Sequence, residues 1–316
     1  MTRRLLLTLA TVLALVSPAL AASPRPAPAW EDLTPMAQPR TEAAYATLGD
    51  DVYVVGGFVV GLTNSTSVEV YNTLRNSWRD GPPIPVAVNH AMATVANGEV
   101  YHAGGYLAVV YGATNTFLVL RNGAWTPLAP MPETRAAGGM VAIGGRIYVV
   151  GGFSQQGTLA KTTLVYDLAS GTWSTLPGLP TPREHVTVVT DGRYVYAVGG
   201  RNGAANTNVA LVDRFDPGMR RWTRLPSLLT ARSGHVSAVT SNGFLVSAGG
   251  EHAGGVFDSA EALHLRSGRR YRLPALDPGR TGFAAATKGT WFYVFSGASD
   301  AGYLNKAEAI NLRDLA

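Results

Sequence analysis

The sequence predicts an all-β chain in which six four-stranded blades close into a propeller. Three observations carry this. Paired small residues recur at Gly56-Gly57, Gly104-Gly105, Gly151-Gly152, Gly199-Gly200, Gly249-Gly250 and Gly297-Ala298, at steps of 48, 47, 48, 50 and 48 residues. An aromatic follows each of the first five pairs by 20 to 22 residues, at Trp78, Trp125, Trp173, Trp222 and Tyr271. No segment reads as a long amphipathic helix, whereas 36 glycines and 19 prolines punctuate short apolar runs. A repeat of this length is one unit that cannot bury both faces alone, so its copies must stack.

Taken in order, the chain opens on an expected export signal, residues 1–21. Arg3 and Arg4 supply the positive start, Leu5 to Val16 the apolar stretch, and Ala19-Leu20-Ala21 the small-x-small cleavage pattern. The apolar stretch is shorter than the roughly 20 residues a membrane helix needs, and no second one of that length occurs, so a chain that does not span a membrane is expected. Residues 22–29 read as a proline-rich leader and 30–316 as the propeller. The fourth repeat shows the internal grammar: His185 to Val189 alternates, Asp191-Gly192 turns, and Tyr194 to Val198 runs into Gly199-Gly200. Val209 to Phe215 then forms a third strand and Arg221 to Leu225 a fourth. The sixth repeat has room for a third strand over Lys306 to Leu312 but none for a fourth. Trp30-Glu31-Asp32-Leu33, one period before Trp78, fits that place and would close the ring without leaving an exposed sheet edge.

Three sets of residues carry a family resemblance. They are Tyr-x-x-Gly-Gly (Tyr53 to Gly57, Tyr148 to Gly152, Tyr196 to Gly200), Val-Glu-x-Tyr-Asn (Val68 to Asn72) and Trp-x-x-Leu (Trp173 to Leu176). Together they resemble Kelch repeats over residues 30 to 316, with Gly297-Ala298 and Tyr271 as the departures. The glycines and tryptophans are read as structural. Glycine at a strand end permits close approach or positive φ, no helix follows any pair to make a phosphate loop, and the tryptophans are expected to pack between blades.

Ligand contacts are therefore sought on the face that bears the inter-blade loops. Arg40, Arg135, Arg183, Arg232 and Arg280 stand there, one per repeat except the second, which reads Val86-Ala87-Val88-Asn89. Fourteen residues before each small pair stand Glu42, His90, Ala137, His185, His235 and Phe283, and Arg201, Glu251 and His252 follow the pairs. Converging guanidinium groups suit a carboxylate, and the resemblance points the same way. The expected ligand-binding set is thus the five arginines with Arg201, His90, His185, His235 and His252. The histidines come from repeats spread around an axis, so neither a metal nor a cofactor is expected. An alternative places acid–base chemistry on Glu184, His185 and Glu251, as the resemblance to Kelch-type sialic acid mutarotases implies.

Composition narrows the rest. Removing Arg3 and Arg4 takes the net charge from +5 to +3, and no long Lys/Arg run occurs, which argues against a nucleic-acid partner. The absence of cysteine rules out a lipoprotein anchor and the Cys–Tyr crosslink of galactose oxidase, which contains a Kelch propeller. The chain is expected to be an exported (periplasmic or extracellular), non-catalytic module that binds a protein segment or glycan bearing acidic groups.

Overall fold

The computed structural model describes residues 27–109, 111–154 and 157–315. The expected export signal, residues 1–21, and residues 22–26 of the leader lie outside them. Six four-stranded antiparallel sheets surround an axis. Blade one runs Ala44–Leu48, Asp51–Val55, Val68–Asn72 and Ser77–Gly81 from axis to rim. Blade four runs Thr187–Thr190, Val195–Val198, Val212–Asp216 and Arg221–Arg224, within three residues of each boundary read from the sequence. The innermost strands of successive blades touch one another all the way round, including Ala284–Lys288 of blade six against Ala44–Leu48 of blade one. Among the described residues, no helix is long and apolar enough to cross a membrane.

Blade six closes as its sequence demands. Trp30–Leu33 forms its outermost strand, antiparallel to Ala307–Asn311, with Trp30 opposite Ile310 and Leu33 opposite Ala307. Residues 30–33 and 307–310, far apart along the chain, thus share one sheet, and opening the ring would require breaking that ladder.

Between blades, apolar faces interlock. The second strands read as continuous apolar runs because both of their faces are covered; Val195 to Val198 are all buried. The tryptophans sit at the seams. Trp78 packs at a tilt against Tyr71 of its own blade and meets Phe295 of blade six edge-on. Its indole N–H donates to the Thr34 carbonyl in the linker from that blade at 2.8 Å. The same bond recurs from Trp125 to Pro82, Trp173 to Ala129, Trp222 to Pro177 and Trp30 to Pro274. One side chain therefore supplies both the apolar packing and the polar satisfaction that a buried indole needs.

Candidate functional site

The inter-blade loops meet the axis in a closed ring of backbone hydrogen bonds. His90 N–H donates to Glu42 C=O, Ala137 to His90, His185 to Ala137, Gly234 to His185, Gly282 to Gly234, and Glu42 to Gly282. All six residues have positive φ, between 46° and 63°. Each lies two residues after the inter-blade arginine of its repeat, or after Val88 in repeat two. This corrects the alignment made backward from the glycine pairs. Repeats five and six carry one extra residue between ring and pair, so Gly234 and Gly282 take the ring positions, not His235 and Phe283.

The five arginines do not present a ligand-gripping ring, and that expectation is corrected. Each is at most 1% exposed, and each staples its own blade. Arg40 donates to the carbonyls of Gly56 and Ser67, both at 3.1 Å, and pairs with Glu69 at 2.6 Å. Arg135 binds the Gly151 and Thr162 carbonyls and pairs with Glu133. Arg183 pairs with Asp213 at 2.9 Å, Arg232 with Glu261 at 3.1 Å, and Arg280 with Glu308. Burial lowers every one of these guanidinium pKa values, and the acidic partners oppose the shift. Buried charges are tolerated only when paired in this way. These guanidiniums are spent on the fold.

The ring positions instead bring together a smaller cluster over the channel. His90 Nε2 and His185 Nε2 stand 3.0 Å apart, and Glu42 Oε2 is 3.4 Å from His90 Nε2. One ligand-capable atom from each of the three lies within 4.8 Å of the others. The expectation that the histidines sit too far around the axis to share a centre therefore fails for His90 and His185. Arg201 links the cluster to two further carboxylates, with Nε 2.7 Å from Glu184 and Nη1 bonded to Glu251. Glu184 also accepts from His185 Nδ1.

Electrostatics here follow burial. Glu42 is raised to about 7 by desolvation, which Arg201 only partly offsets. His90 is depressed to about 3 by desolvation and the Arg201 charge, and His185 falls well below its ordinary value for the same reasons, with His90 adding to the effect. Desolvation raises Glu251 as well. Both imidazoles are thus neutral at physiological pH. Below them the axial cavity has a volume of about 340 Å³, walled by the innermost strands.

Of the residues anticipated for ligand or acid–base work, His90, His185, Arg201, Glu184 and Glu251 meet at this mouth. Glu184 is 0% exposed, closed off by Arg201 and His185, and so has no direct access to a substrate. His235 is buried behind the ring, and neither of its ring nitrogens has a partner among the described residues. His252 is exposed at the rim against Phe257. Glu42 and Asn89 were missed as site residues. Counting two residues on from each arginine position would have found Glu42, and Asn89 is the side chain immediately before His90.

The same face carries an apolar ridge. Val60 and Leu62 of blade one and Leu107, Val109 and Tyr111 of blade two are all exposed, Tyr111 at 75%. Asn64 Nδ2 donates to the carbonyls of Tyr106 and Leu107, tying the two loops together. Elsewhere, the outer edges of blades four and five expose Arg221, Arg224, Arg270 and Arg272, and the adjoining turns expose Arg220 and Arg269.

Comparison with known proteins agrees with this architecture. Residues 42–250 match the model of the KLHDC2/KLHL20/DRC7 Kelch-repeats domain. Over 140 residues the chain is 36% identical to Kelch-like protein terF of Aspergillus terreus, covering 41% of this chain and 29% of that protein. It is 26% identical over 140 residues to Kelch repeat and BTB domain-containing protein 1 of Cowpox virus, covering 43% of this chain and 24% of the relative. The chain thus spans only about a quarter of the length of these relatives. The solved structure of YjhT superposes with a TM-score of 0.78 at 17% identity, covering 89% of this chain and 97% of that one, a likeness in fold alone.

Proposed function

Because the chain belongs to the Kelch-repeat family, we infer that it acts as a non-catalytic binding module that holds a protein partner on the face of the inter-blade loops. The apolar ridge of Val60, Leu62, Leu107, Val109 and Tyr111 carries this reading. These side chains stand on two loops that Asn64 ties together; a large exposed apolar patch marks an interaction site more often than a bare surface, and an exposed tyrosine is a common anchor of such contacts. The test is Leu62→Asp combined with Tyr111→Asp in the immobilised chain. Proteins captured by the wild type and released by the double variant support the ridge; an unchanged set of captured proteins counts against it.

The acidic character expected of the ligand, protein or glycan, now rests on a different surface, the arginine-rich edge of blades four and five. Attraction there weakens with salt, because exposed charges are screened over about 10 Å at 0.1 M. Export rests on the Arg3-Arg4, Leu5 to Val16 and Ala19-Leu20-Ala21 pattern. Mass spectrometry of the native chain checks it, since a chain retaining Met1 ends that reading. A sugar mutarotase has one observation in its favour: Glu251, Arg201 and His185 meet beside the axial cavity. Unaltered anomer exchange in Glu251→Gln would remove it.

A further inference from the structure

The geometry points to a divalent metal site at the channel mouth, with Glu42, His90 Nε2 and His185 Nε2 as ligands and a fourth position open to the axial cavity. The hydrogen bonds around the two imidazoles fix their tautomers. Asn89 Nδ2 donates to Asn64 Oδ1 and to the Ala108 carbonyl, so Asn89 Oδ1 is an acceptor and His90 Nδ1, bonded to it, carries the proton. Glu184 is held as a carboxylate by Arg201, so His185 Nδ1, bonded to Glu184, carries the proton there. Each Nε2 therefore offers a lone pair, and the two lone pairs face each other at 3.0 Å with the Glu42 oxygen beside them.

One guanidinium among the described residues approaches that space. Arg201 Nη2 is the nearest candidate, and it lies 3.3 Å from both Nδ1 and Nε2 of His185. A point equidistant from both nitrogens lies over the ring face, because in the ring plane it would collide with ring carbon. Arg201 Nη2 thus lies over the imidazole face, out of line with the in-plane Nε2 lone pair. The side chains are largely withdrawn from water, with His90 8%, His185 10% and Glu42 19% exposed.

A divalent cation would take up both lone pairs. Two imidazole nitrogens and one carboxylate oxygen, with an open fourth position, are a zinc-type donor set. Ligands about 2.0–2.1 Å from zinc stand about 3.4 Å apart along a tetrahedral edge. The His90–Glu42 separation already matches, and the histidine pair needs only a few tenths of an ångström. Rotation of the Glu42 side chain closes the third edge. Asn89 and Glu184 act as outer partners that orient the ligands, the arrangement usual for metal-bound histidines. This site stands independently of the docking ridge, and no ridge residue takes part in it.

The test uses the full chain stripped with a chelator and titrated with zinc or cobalt alone. The expected result is one ion per chain and the visible bands of four-coordinate cobalt. His90→Asn, His185→Asn and Glu42→Gln should each weaken binding by more than the roughly 10–100-fold that loss of an outer partner costs, while His252→Asn leaves it unchanged. Asparagine suits the positive φ at the two histidine positions. No uptake, or uptake unaltered in His90→Asn and His185→Asn, overturns the site. Should those variants fail to fold, X-ray absorption of the zinc-loaded wild type decides, and a spectrum without imidazole ligands overturns it equally.

Discussion

The amide of Glu42 donates to the carbonyl of Gly282 at 2.6 Å, closing a ring of six hydrogen bonds that passes once through every blade. The ring exists because each inter-blade loop turns through a left-handed residue at the same place. It fixes where the side chains of Glu42, His90, Ala137 and His185 point at the channel mouth, and it couples blade six to blade one at the axis while the Trp30–Leu33 strand pairs with Ala307–Ile310 at the rim.

Left-handed backbone strains any residue with a Cβ, by roughly 1–2 kcal/mol. Ala137 bears that strain at φ 54°, whereas its neighbour Ala136, equally part of the loop, has no positive φ. Ala137→Gly is therefore expected to be neutral or slightly stabilising in denaturant melts, because relief of strain offsets the lost methyl burial. Ala136→Gly, at a position 0% exposed, should cost about 1 kcal/mol. Equal losses in the two variants would show that the ring residues carry no strain.

His102 sets a pH dependence of stability. It is buried in the second strand of blade two, neither ring nitrogen has a partner among the described residues, and desolvation lowers its pKa to about 4. The folded state keeps the ring neutral while the unfolded chain titrates near 6.5. Stability from this group is therefore complete above about pH 6.5 and is lost as pH falls from there to about 4. The loss between about pH 7.5 and about pH 5 comes to roughly 2 kcal/mol. His102→Leu should flatten the wild-type decline by that amount in urea melts at the two pH values. His90, His185 and His235 push in the same direction, so some decline persists in the variant.

The period and the strands of each blade were readable in the sequence because they are local patterns that recur around the ring. The closure was readable because Trp30-Glu31-Asp32-Leu33 stands one period before Trp78 while the sixth repeat lacks a fourth strand. The site was readable only in part. Counting backward from the glycine pairs crosses a one-residue insertion in repeats five and six and so promotes His235 and Phe283 over Gly234 and Gly282. The arginines looked available because their partners lie far along the chain. Glu69 and Glu261 stand 29 residues after Arg40 and Arg232, and Glu308 stands 28 after Arg280. That recurring arginine–acid spacing was the missed signal that the charges are paired inside the blade. The meeting of His90 and His185, 95 residues apart, has no local signature; the narrowness of the ring produces it.

Trp30 is the test of closure. It packs on Phe292, bonds the Pro274 carbonyl at 2.9 Å and begins the strand that seals blade six. Being half-buried, Trp30→Ala should cost somewhat less than the roughly 3–5 kcal/mol of a fully buried tryptophan. Deleting 27–33 should do more, exposing the edge of Ala307–Asn311 and promoting association between chains. A truncated chain that melts like the intact one and stays monodisperse in light scattering would show that the rim strand is dispensable.

Blade two shows what the buried ion pairs of the other blades contribute. Val88 occupies the place of the arginine, and Leu118, second in its third strand, occupies the place of Glu69, Glu261 and Glu308; both are buried. An arginine and its acid have thus been exchanged together for two apolar side chains within one fold. Removing one member of such a pair strands a charge in the interior, so Arg40→Met alone should cost about 3–5 kcal/mol. Arg40→Met with Glu69→Leu should cost less than that single change. The Ala37 amide released by Glu69 is on an exposed residue and can bond water. Full recovery is not expected, because the carbonyls of Gly56 and Ser67 also lose their donor. Denaturant midpoints for the wild type, both single variants and the double variant complete the cycle. Additive losses would mean that Arg40 acts on those carbonyls and not on Glu69.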